Sequence, residues 1–103
     1  MQHEADLTQL SSVWSDIRGT AESAELEAEL AREVTASHAL AGVPVVAVAA
    51  RKLRKEILYL LPDGRWAWVH LTWRPEVDPR WPSVTFADSW SALIHELRDG
   101  DRS

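Results

Sequence analysis

The chain has no cysteine, and only one methionine, one phenylalanine and one tyrosine among its 103 residues. Missing thiols exclude disulfides and thiolate-held metal centres. No apolar run approaches the roughly 20 residues that cross a bilayer as a helix, so no membrane partner is expected. The opening MQHEADLTQL has neither a basic n-region nor an apolar h-region. It predicts no secretory signal and, by elimination, a cytoplasmic protein. No G-x-S-x-G, P-loop, G-x-G-x-x-G or H-E-x-x-H motif occurs, and Ser, His and Asp fall in no order that names a triad. His3, His38, His70 and His95 show no ligand spacing. Catalytic, metal and cofactor residues are therefore all expected to be none.

What is present is an ordinary globular balance, 46% apolar and 26% charged, with a net charge of −5. One domain over residues 1–103 is expected, burying roughly two-thirds of its unfolded surface. Charge is unevenly spread. Residues 1–38 carry eight acids against two arginines, whereas Arg51-Lys52-Leu53-Arg54-Lys55 packs four bases into five positions. Six tryptophans are the compositional outlier, and Trp concentrates both in cores and at binding hot spots.

The stretch from Glu56 to Trp73 organises the rest. Two apolar runs flank Pro62-Asp63-Gly64, the residues a hairpin turn demands. Closing the loop at Leu61 and Arg65 sets the register. Leu60 then faces Trp66, Leu58 faces Trp68 and Glu56 faces His70 on one side. Tyr59 meets Ala67, Ile57 meets Val69 and Lys55 meets Leu71 on the other. Both faces are apolar, so both need a cover.

Taken in order, Leu7, Leu10, Trp14 and Ile17 are spaced as one face of a helix over residues 5–18. A second helix is predicted from Ala21 to Thr35, burying Leu26, Leu30 and Val34 and turning Glu22, Glu25, Glu29 and Glu33 to solvent. Gly42 marks a positive-φ position and Pro44 the start of a strand over 43–50. The RKLRK turn leads into the hairpin, whose second strand is read as 66–73. Three prolines keep 74–83 irregular, and Val84–Phe86 is a candidate edge strand. Asp88 is the expected cap of a last helix with Trp90, Leu93, Ile94 and Leu97 on its buried face, ahead of a frayed tail from Asp99. The predicted fold is α+β: two N-terminal helices, a three- to four-stranded antiparallel meander, and a C-terminal helix packed on the sheet.

His38-x-Leu40-x-Gly42, Val69-His70-Leu71-Thr72-Trp73, Trp81-Pro82 and Phe86-x-x-Ser89 resemble segments of small bacterial proteins of uncharacterised function. The resemblance implies a compact α+β domain in a bacterial cytoplasm and carries over no catalytic residue.

The candidate interaction or pocket surface is Trp66, Trp68, His70, Glu56, Trp73 and Trp81. If the helices cover one sheet face only, Trp66 and Trp68 stay exposed and mark a contact with a protein partner or a second copy. His70 beside Glu56 is either a titratable functional residue or a half-buried structural one. The leading reading is a non-catalytic protein-interaction domain. One version is an antitoxin- or immunity-type partner whose acidic helix captures a basic protein. The alternative is a small-molecule binder or minor enzyme with a pocket walled by Trp66, Trp68, Trp81 and His70. Nucleic acid is disfavoured, since four bases beside an acidic helix make a weak field.

Overall fold

The computed structural model describes residues 6–102, with side chains through residue 99. Its elements are β1 (Ser15–Asp16), α1 (Ala21–Glu33), β2 (Val46–Arg51), β3 (Glu56–Leu60), β4 (Trp66–His70), β5 (Ser83–Ala87) and α2 (Trp90–Arg102). The five strands form one antiparallel sheet in which spatial order equals sequence order. The α+β class, the antiparallel sheet and the C-terminal helix upon it are as the sequence predicts. The strand count is five and not three to four, because β1 joins one edge, while the candidate edge strand at 84–86 forms as β5 at the other.

The central hairpin has the predicted register pair by pair, from Glu56↔His70 to Leu60↔Trp66. Lys55 O extends it by accepting Leu71 N at 2.7 Å. Gly64 takes φ +90°, and the Asp63 carboxylate accepts Arg65 N at 3.0 Å. In β2 the alternation slips at a bulge between Ala47 and Ala49. Val48 and Ala49 consequently both join one core cluster, while Ala47 and Ala50 belong to the other.

One helix covers each face. On the first, α1 sets Leu26 and Leu30 against Ile57, Tyr59, Ala67 and Val69. Thr20 caps it by accepting Ser23 N at 3.2 Å. Two buried hydroxyls fasten it down: Ser23 donates to Ala47 O and Tyr59 to Leu26 O, both at 2.7 Å. On the second face, α2 brings Leu93, Ile94 and Leu97 against Leu58, Val48 and Trp66. Its cap is Ser89, whose hydroxyl accepts Ala92 N at 3.1 Å, and not Asp88. The backbone stays helical through Arg102 where a frayed tail was expected from Asp99.

The predicted helix over 5–18 does not form; residue 5 lies outside the described residues. Asp6 instead caps a short 3-10 turn, Leu7–Gln9, and the chain then extends into β1. Leu7, Leu10 and Trp14 do share a face, the one α2 covers, but Ile17 crosses to the α1 side. A single helical stripe cannot serve both sides of a sheet. Ser11, Ser12 and Ser15 also favour local side-chain bonds over helical ones.

The α1 stripe is likewise displaced. Ser23, Leu26, Glu29, Leu30 and Glu33 are its buried residues, so Glu29 and Glu33 are core and not solvated surface. Position 33 falls seven after Leu26, where a stripe through 26 and 30 continues. Val34 is already the C-cap.

Candidate functional site

The end of the sheet where β2 turns into β3 collects four of the six residues the sequence singles out. Glu56 and His70 face each other there, Trp73 follows β4, and Trp81 precedes β5. Trp68 lies mid-strand but reaches this end through its indole. Trp66 is at the opposite end of β4, 5% exposed, tilted at 56° against Trp90 with ring centroids 4.9 Å apart. The open Trp66 and Trp68 patch is therefore not formed, because α2 and the N-terminal turn complete the second face.

Glu56 is a buried hub. Its Oε1 accepts Arg51 Nε at 2.9 Å and Trp68 Nε1 at 3.1 Å, and its Oε2 meets Lys52 Nζ at 2.9 Å. Burial opposes ionisation, but the bonds from Lys52, Arg51 and Trp68 outweigh it and hold the carboxyl below the usual glutamate range. Arg51 in turn lies over the Trp14 ring at 4.5 Å and the Trp68 ring at 5.7 Å. Every oxygen of Glu56 is thus committed to holding strand ends together. His70 Nδ1 stands 3.8 Å from Oε2 with its side chain half exposed.

The RKLRK turn above this hub has an unusual backbone. Lys52, Leu53 and Arg54 have φ +57°, +56° and +67°, the left-handed region that costs an L-residue roughly 1 kcal/mol or more each. Neighbouring contacts impose it. Arg51 and Glu56 pair as the last rung of the ladder, Lys52 is anchored on Glu56, and Arg54 lies 5.3 Å from the Trp73 ring centroid. Trp73 Nε1 donates to Arg54 O at 2.9 Å. Leu53 is left at the tip, 91% exposed.

Trp73 is itself fixed, at φ +59°, by a residue the sequence reading assigned to solvent. Buried Glu33 accepts Trp73 N at 2.7 Å through one oxygen and Thr72 N at 2.8 Å through the other. This bends the chain out of the sheet, which is why β4 stops at His70 and not at Trp73. A second clamp holds the loop before β5. His38 Nδ1 accepts Leu40 N at 2.9 Å, so Nε2 carries the proton and donates to Pro82 O at 2.8 Å. The motifs H-x-L-x-G and W-P thus meet in space through a structural histidine.

Among the described residues seven large apolar side chains are exposed: Val13, Val46, Leu53, Trp73, Val77, Trp81 and Phe86. Five of them sit in connections at this one end of the sheet; only Val46 and Phe86 lie elsewhere. Val13 and Leu53 line the same shallow cavity of about 210 Å³. A larger cavity, about 560 Å³, opens at the far end between Pro44, Leu61, Pro62 and Phe86. Neither is walled by Trp66, Trp68, Trp81 and His70, so the pocket expected of those four is not assembled there.

Among the described residues no three His, Asp or Glu side chains gather as metal ligands, and no helix is long and apolar enough to cross a membrane. No protein-family model, curated protein or solved structure matches this chain.

Proposed function

We propose that this chain is a non-catalytic protein-interaction domain, acting in a bacterial cytoplasm, that meets its partner through the sheet end built on Leu53 and Trp73. The observation that carries the reading is the gathering of Val13, Leu53, Trp73, Val77 and Trp81 at one end of an otherwise well-covered sheet. Exposed apolar side chains concentrated on one part of a surface mark contact sites. Strained backbone held by its surroundings points the same way, and here it leaves Leu53 exposed at the tip.

Lys52 and Arg54 flank Leu53 and are each met by a carboxylate, Glu56 and Glu25, so the contact this end offers is chiefly apolar. The acidic helix that favoured a basic partner is largely engaged within the chain: Glu27 with Ala47 N, Glu29 with Arg32 and Glu33 with Thr72 and Trp73, while exposed Glu25 pairs with Arg54 at the surface. An antitoxin- or immunity-type role remains compatible with this contact chemistry, with the binding surface moved to the turn. Nucleic acid is poorly served, because Arg51 is buried between indoles and both Lys52 and Arg54 are partnered by carboxylates.

The test is affinity capture from native cells at low and moderate salt, comparing the wild type with Leu53→Asp. A protein retained by the wild type and lost by the variant supports the reading. A chain that emerges alone under both salt conditions, or a variant that captures the same protein equally well, removes it.

A further inference from the structure

The two edges of the sheet are treated very differently. At one, β1 is two residues long and is followed at once by the Asp16–Arg18 ion pair. At the other, β5 is a five-residue strand, Ser83-Val84-Thr85-Phe86-Ala87, with no charge and no proline. Its pairing with β4 is continuous from Ala87 to Ser83, without a bulge. Among the described residues no hydrogen bond reaches the backbone of 83–87 from outside that ladder; the nearest, from His38, stops at Pro82 O. Ser83, Thr85 and Phe86 are exposed and Val84 is half-buried. Edges of this kind are normally blunted by lysine, proline, a bulge or brevity, because their open amides and carbonyls template another strand.

We propose that β5 is a homodimerisation edge, where two copies of this chain pair antiparallel about Thr85 and continue the sheet across a two-fold axis. The occupant follows from the strand's own symmetry. Centring the pairing on Thr85 sets Val84 opposite Phe86 of the second copy, Ser83 opposite its Ala87, and Thr85 opposite its counterpart. Aromatic with β-branched and threonine with threonine are both favourable cross-strand pairs. Val84 packs on the α1 side, and Phe86, two residues on, shares that face. The apolar pairs therefore fall together on one side, and the hydroxyls on the other. Charge does not interfere: Arg65, 5.3 Å from the Phe86 ring, is matched by Asp63 at 2.8 Å. A surface complementary to itself is what an isologous contact requires. With one short strand from each copy, the contact is at the small end of stable interfaces, so association belongs in the micromolar range or weaker. The inference rests on β5 and is independent of the partner-binding end.

Sedimentation equilibrium from micromolar to millimolar concentration tests it, on the wild type, Thr85→Lys, Thr85→Glu and an equimolar mixture of the two variants. Thr85 is exposed, and circular dichroism confirms that each variant keeps its fold. The wild type is expected to dimerise reversibly. Each variant alone, with like charges opposed at the axis, is expected to weaken the dimer about fivefold or more. The mixture is expected to recover it as a Lys–Glu heterodimer. A wild type that stays monomeric throughout, variants that associate like the wild type, or a mixture no tighter than its components would each overturn the proposal.

Discussion

Residues 61–65 and 52–55 both reverse the chain between neighbouring antiparallel strands, and only the first does so with residues suited to a turn. In Leu61-Pro62-Asp63-Gly64-Arg65 the positive φ falls on glycine, Asp63 caps Arg65 N, and the tip exposes polar groups. In the other turn three consecutive non-glycine residues are left-handed, and the tip exposes a leucine. Local turn chemistry explains the first turn, whereas contacts with Glu56 and Trp73 impose the second. The difference separates a connection whose own residues close a hairpin from one held in a strained shape by its neighbours, with a leucine left exposed at its tip.

The largest expected effect strikes the support of the second turn and not the turn itself. Glu33→Ala removes the acceptor of Thr72 N and Trp73 N, releasing Trp73 from beneath Arg54. Urea denaturation should show a loss of about 3 kcal/mol, the cost of stranding two donors and vacating a buried site. Tryptophan emission should move to the red as Trp73 opens to water. An unchanged midpoint would mean that Glu33 does not hold this end together.

The two turns should then respond oppositely to glycine chemistry. Gly64→Ala, at φ +90°, is expected to destabilise by about 1 kcal/mol or more. Leu53→Gly should stabilise by about 0.5–1 kcal/mol, the relief of left-handed strain less the added chain entropy of glycine, while weakening partner capture. Equal losses at both sites would erase the distinction between the turns.

The smallest effect is on pH dependence. Glu56 titrates below the ordinary 4.5 when folded, so its contribution is complete above the unfolded value and disappears as pH falls through the folded one. Urea midpoints taken from neutral down to about pH 3 should therefore decline in acid, and Glu56→Gln should flatten that decline. An identical acid slope in the variant would place the titration elsewhere.

Much of the architecture was legible because single residues dictated it. Pro62-Asp63-Gly64 fixed a loop length, and a loop length fixes every cross-strand pair, so the β3–β4 register followed. Thr20 and the apolar spacings of Leu26, Leu30, Leu93, Ile94 and Leu97 located both long helices. The N-terminal segment misled because a 3-4-3 spacing is satisfied equally by a chain that touches one face and then crosses to the other. Strand β1 offers only Ser15 and Asp16, with no alternation to read. Burial of Glu33 went unseen because a carboxylate looks solvent-bound until the amides it serves, forty residues away, are placed beside it, and Glu29 was hidden by its surface partner Arg32. Of the proposed site, Glu56, His70, Trp73 and Trp81 were found as chemistry. Leu53 was not, since nothing in RKLRK announces a left-handed backbone.

The cover of the α2 face has a consequence for the nascent polypeptide. Leu58, Trp66 and Trp68 leave the ribosome well before Trp90, Leu93, Ile94 and Leu97, the side chains that shield them. During that interval the sheet has one finished layer and one indole-rich layer that only Leu7, Leu10 and Trp14 can cover, a target for chaperones. A chain terminated just before Trp90 would keep that layer half-covered permanently, and its fate would be aggregation or proteolysis.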